Sequence, residues 1–216
     1  MRFFITVLLL IICLQSKTLS EERINSLFGV KLNDDISNYA DVENGKLAKG
    51  FSEKIYNFKD KFLKIDRDEN FYGYGVRTDK NYKIKVLNAA AKRFIYKNDF
   101  TDSQCIAEKK RYISILVNEL NLDSSKFKSF YRKGVHKETL ESTGNLLWDD
   151  TNYTYTDNNE KFRLMVICTY QKNKKTDEVV NFLFVSWMTE NYYRTNVIPR
   201  FEIIDKFNKD FILKFL

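Results

Sequence analysis

Apolar and polar positions alternate most cleanly in three stretches of the chain, and each predicts a β-strand. Phe71 to Arg77 places Tyr72, Tyr74 and Val76 at period two, with Gly73 and Gly75 on the other face. After the turn residues Thr78-Asp79-Lys80-Asn81, Tyr82, Ile84 and Val86 alternate with Lys83 and Lys85. Together these predict a β-hairpin, with Phe94 to Tyr96 as a third strand. Lys161 to Tyr170 sets Phe162, Leu164, Val166, Cys168 and Tyr170 against Arg163 and Thr169. Val179 to Met188 is apolar on both faces, which predicts a strand central in its sheet.

Helical spacing appears elsewhere. Thr101-Asp102-Ser103-Gln104 has the form of a capping box, and Cys105, Ile106, Tyr112, Ile113, Leu116, Val117 and Leu120 follow at helical intervals. This predicts a helix over Ser103 to Leu120. Phe127, Phe130 and Tyr131 predict a second short helix over Ser124 to Arg132. Phe201, Ile204, Phe207, Phe211, Ile212 and Phe215 predict a closing amphipathic helix after Pro199. Near the front, Phe28 to Leu32 reads as a short extended piece, followed by a capped turn at Asp34-Asp35-Ile36-Ser37. Residues 40–50 read as loop. The resulting expectation is an α+β fold: a mainly antiparallel sheet of about five strands, with helices packed on one face.

The first twenty residues have a different character. Arg2 precedes an apolar run from Phe3 to Leu14, and Thr18 and Ser20 supply the small residues of a cleavage site. The run is about twelve residues long, short of the roughly 20 that a membrane-spanning helix needs. Lipidation at Cys13 is the other processing route, but Ile12 is large where such sites favour a small residue. The expectation is a signal peptide over 1–20 with cleavage near Ser20. A single globular domain over 21–216 follows, periplasmic or extracellular, without a stable transmembrane anchor. Cleavage removes Arg2, Lys17 and Cys13, leaving 34 basic and 29 acidic residues and a formal charge of +5. Cys105 and Cys168 then remain as an even pair in an oxidising compartment, which predicts a disulfide. Both fall on apolar stripes expected to face one helix–sheet interface.

Candidate chemistry is sparse. Lysines and acids interleave along the chain, the pattern of a solvated surface and not a nucleic-acid footprint. His136 is the only histidine, which excludes sites built on two or three of them, and no nucleophile motif or glycine-rich phosphate loop occurs. No metal or cofactor is expected. Asp66-Arg67-Asp68-Glu69-Asn70 imitates the start of a calcium-binding loop but has Phe71 and Arg77 where Gly and Glu are needed. Asp149-Asp150, with Asp157 and Glu160, offers carboxylates for hydrolysis if they lie roughly 5–9.5 Å apart. The same stretch carries an Asn-x-Thr sequon at Asn152. The one basic cluster is Lys126, Lys128, Arg132, Lys133 and Lys137, interleaved with Phe127, Phe130 and Tyr131.

No residue is assigned a catalytic role. The expected function is a non-enzymatic binding or accessory module meeting an envelope or extracellular partner, with the basic cluster as a possible anionic-partner patch. A carboxylate-dependent hydrolase and a structural envelope protein are the alternatives.

Overall fold

The computed structural model describes residues 24–48, 51, 53–91, 102–136, 143–173 and 179–207. Among them, nine strands form one antiparallel sheet in the order β1-β2-β3-β4-β8-β7-β6-β5-β9. The strands are β1 (Lys46–Ala48), β2 (Ile55–Lys59), β3 (Phe71–Thr78), β4 (Ile84–Ala91), β5 (Lys128–His136), β6 (Thr143–Asp157), β7 (Glu160–Asn173), β8 (Val179–Thr189) and β9 (Phe201–Phe207). The first four and the next four are each an up-and-down meander, and the two meet where β4 pairs β8. Helix α1 (Asp102–Leu120) lies between β4 and β5 in sequence. At roughly 1.5 Å per residue it is long enough to carry the chain across the intervening strands.

The sheet has two apolar faces. Tyr153, Tyr155, Phe162, Leu164, Val166, Cys168, Val185 and Trp187 lie in the larger core with Cys105, Tyr112 and Leu116 of α1. Residues 24–40 cover another part of this face. There Leu27 and Val30 exchange both backbone hydrogen bonds around Phe28 and Gly29, each at positive φ (53° and 73°). A bulky side chain in the left-handed region is costly. Phe28 is held there by edge-to-face contacts with Phe71 and Tyr74, both at 5.0 Å between ring centroids. On the opposite face a smaller core joins Ile55, Val86, Met165, Ile167 and Met188 to Tyr192 and Tyr193. These tyrosines belong to the helical segment 190–200.

This arrangement corrects the expected fold class. The sheet has nine strands, not about five, and helical segments sit on both faces. Two expected helices are strands. Residues 124–126 make only a single 3-10 turn capped by Asp123, after which Lys128–Gly134 pairs with Leu146–Asn152. Residues 201–207 pair with β5 instead of coiling, Phe201 opposite His136 and Phe207 opposite Tyr131, while Phe211, Ile212 and Phe215 lie outside the described residues. Short aromatic-rich segments satisfy either period, and long-range pairing decided between them. The candidate carboxylates Asp149, Asp150 and Asp157 lie in β6.

Other expectations match the structure. The hairpin at Phe71–Arg77 appears as β3–β4, β7 covers Lys161–Tyr170, and β8 lies centrally between β4 and β7. The helix over Ser103 to Leu120 is α1. It ends with Asn121 at φ 50° and Leu122 N–H bonded to Val117 C=O, a left-handed cap of the Schellman type. Phe94–Tyr96, Lys137 and the segment 1–20 lie outside the described residues. Among those described, no helix is long and apolar enough to cross a membrane.

Gly29 offers a direct test of the 24–40 cover. A Cβ there meets Asp66 Oδ2 at 2.5 Å, and φ is +73°. Gly29→Ala is expected to lower stability by about 1–2 kcal/mol in denaturant unfolding. An unchanged midpoint contradicts this account of the turn.

Candidate functional site

Among the described residues, the most tightly held polar chemistry lies under α1. Cys105, Lys109, Tyr112 and Leu116 recur at helical spacing along one face, and each is at most 1% exposed. Cys105 is bonded to Cys168 of β7 across a Cα separation of 6.0 Å, completing the expected disulfide. One turn further on, Lys109 Nζ donates to Asp149 Oδ1 of β6 at 2.5 Å. Asp149 and Cys168 are direct cross-strand partners. An i, i+4 pair on the helix thus meets a registered pair on the sheet, giving one covalent and one ionic link. The stripe continues with Tyr112, whose hydroxyl donates to the Asn70 carbonyl at 2.5 Å.

Strand alternation separates the carboxylates considered for hydrolysis. Asp149 shares its face with Tyr153 and Tyr155, whereas Asp150 and Asn152 belong to the other. There Asn152 Nδ2 donates to Asp150 Oδ2 at 2.9 Å, and both residues are at most 2% exposed. Asp157 and Glu160 sit at the far end of the β6–β7 hairpin, where Glu160 accepts from Asn33 Nδ2 at 2.5 Å. At roughly 3.3 Å per residue, Asp157 is about 26 Å along the strand from Asp149. The four carboxylates do not converge. Burial also places the Asn152 sequon inside the folded domain.

The imitation of a calcium loop is a set of turns. Asp68 Oδ1 accepts from Asn70 N–H at 2.6 Å, and Asp60 pairs with Arg67 at 2.9 Å. Among the described residues, no group of three or more His, Cys, Asp or Glu is placed to hold a metal ion.

The basic cluster is spread along the start of β5. Lys126 and Lys128 are exposed and Phe130 is 39% exposed, while half-buried Phe127 packs on Tyr153 at 5.1 Å. Arg132 and Lys133 pair with Trp148 and Leu147 in the β5–β6 ladder. The cluster is therefore an array along a strand and not the side of a helix.

On the face away from α1, Glu190 organises a second charged group that the sequence reading missed. Arg163 donates to both Glu190 oxygens at 2.9 and 3.0 Å, and Arg194 adds a third bond at 3.0 Å. The Arg163 guanidinium also lies 4.1 Å from the Tyr193 ring centroid. Lys109 was missed as well. Its position between Cys105 and Tyr112 on the apolar stripe was the available signal.

Burial works to raise the Glu190 carboxyl, but the hydrogen bonds and charges of Arg194 and Arg163 outweigh it and hold it below its ordinary range. Because the folded value is the depressed one, the stabilisation is present above the ordinary carboxylate pKa and is lost as pH falls through the folded value. Glu190→Gln is expected to cost about 1–3 kcal/mol at neutral pH. The difference from the parent should shrink in acid, as read from unfolding midpoints across pH 2–7. A difference independent of pH contradicts this.

Compared with known proteins, the chain matches no family model, no curated protein and no solved structure.

Proposed function

We propose that the protein is an exported, non-catalytic binding or accessory module that meets an anionic envelope or extracellular partner through the start of β5. The observation that carries this reading is the Cys105–Cys168 bond, buried at the helix–sheet interface. Disulfides of this structural kind persist in oxidising compartments, which agrees with the signal-like segment at residues 1–20. Against catalysis stands the dispersal of the carboxylates over two faces and from the middle of β6 to the β6–β7 turn. Exposed Lys126 and Lys128 beside the half-exposed ring of Phe130 supply charge and apolar area on one surface. Arg132, Lys133 and Lys137 continue the positive run in sequence.

Two measurements test the reading. Protein recovered from an exporting host is expected to begin at Glu21 by intact mass, with Cys105 and Cys168 joined in a non-reducing peptide map. Retention of Phe3 to Leu14, or recovery of both cysteines as free thiols, contradicts export. The mature protein is then titrated with vesicles of anionic phospholipid and with zwitterionic vesicles. Lys126→Gln and Lys128→Gln are each expected to weaken anionic binding about fivefold, near 1 kcal/mol per lysine. Both surface changes should leave stability within about 0.5 kcal/mol. Equal binding to the two vesicle types, or indifference to both substitutions, contradicts the role given to this surface.

A further inference from the structure

We propose that Lys109 and Asp149 become joined by an isopeptide bond, a second covalent link between α1 and the sheet beside the disulfide. This goes beyond the binding role and does not depend on it. The two reacting groups are already in contact, Nζ to Oδ1 at 2.5 Å. Lys109 is 1% and Asp149 6% exposed. Burial penalises both charges. Within this contact, transfer of one proton from Nζ to the carboxylate gives a neutral amine, which is a nucleophile, against a carboxylic acid, which is an electrophile.

The bond changes balance without any further reactant. The Nζ lone pair attacks Asp149 Cγ and forms the N–C bond, and one Cγ–O bond breaks. That oxygen leaves as water, carrying two of the three protons of the original ammonium, and the third stays on the amide nitrogen. One positive and one negative charge vanish together from the interface, and no oxidant or reductant takes part.

Placement supplies the driving geometry. Cys105 lies one helical turn before Lys109, and Cys168 is the direct cross-strand partner of Asp149. Closing the disulfide therefore fixes the amine over the carboxyl. Reacting groups held in this way reach effective molarities of about 10⁵–10⁸ M. The cross-link should form after the disulfide and more slowly without it.

Mass spectrometry of the full-length or mature oxidised protein, reduced and denatured before injection, decides the matter. The expected mass is about 18 Da below the sequence value, one water lost in forming the amide. Trypsin digestion should yield a branched peptide linking the segment with Lys109 to the segment with Asp149. Lys109→Arg should restore the full mass, and because the chain is read denatured, this holds whether or not the variant folds. Cys105→Ser should lower the fraction cross-linked at a fixed time after synthesis. An intact mass at the sequence value, with Lys109 and Asp149 only in separate linear peptides, overturns the proposal. So does a water loss confined to a linear peptide, which is dehydration at another site.

Discussion

A nine-stranded sheet with two apolar faces has to cover both, and the hold of α1 on β6 and β7 settles how the larger face is closed. The helix between β4 and β5 packs on strands that come later in the chain. Four residues at one-turn intervals, Cys105, Lys109, Tyr112 and Leu116, turn inward together. Their partners lie far away along the chain, 63 residues in the case of the disulfide. Closing a loop of that length removes enough freedom from the unfolded chain to stabilise the fold by about 4 kcal/mol in the chain-entropy model. The ionic contact adds specificity of placement. A buried ammonium fits only where a buried carboxylate waits, which fixes both the rotation of the helix and its position along its axis.

The opposite face depends on the first. Trp187 and Tyr155 are bonded within the larger core, Nε1 to hydroxyl at 3.1 Å, and the Tyr155 hydroxyl donates onward to the Ile24 carbonyl. Burial drives that hydroxyl well above its ordinary pKa, so it stays a proton donor that ties the front of the chain to the sheet centre. With β7 and β8 fixed in this way, the alternate residues Arg163, Met165, Ile167 and Met188 form the floor on which the 190–200 segment settles. Thr189 caps that segment by accepting from Tyr192 N–H at 3.2 Å, and Glu190 draws Arg163 and Arg194 together over it. Polar chemistry on both faces is thus spent on docking helical pieces.

Much of this was legible in the sequence where one period dominated a long stretch. β3, β4 and β7 announced themselves by alternation, β8 by a run apolar on both faces, and α1 by its seven apolar positions and its capping box. The disulfide followed from two cysteines on stripes facing each other. The segments from Ser124 to Arg132 and beyond Pro199 were misread because a few aromatic residues at spacings of three and four fit a helix equally well. What made them strands is a partner elsewhere in the chain: β6 for the first and β5 for the second. Asp149-Asp150 gave no strand signal because charged residues seldom occupy a central strand unless paired, and Asp149's partner sits 40 residues earlier on another element. Lys109 was obscured for the same reason. A single charge inside an apolar stripe looks like a break in the pattern until its counter-charge is located. The short hairpin turn at Asn158-Asn159, both at positive φ, was a local signal available in the sequence that closes β6 onto β7.

The claim that α1 is the element on which the fold depends is tested most directly by native-state hydrogen exchange on the oxidised protein and on Cys105→Ser. In the oxidised protein, the amides of α1 should exchange as slowly as those of β7 and β8, all limited by global unfolding. In the variant, α1 should become the first element to open, with protection in β6, β7 and β8 falling alongside it. Fast exchange throughout α1 in the oxidised protein, or a variant in which the helix keeps its full protection, would contradict the account.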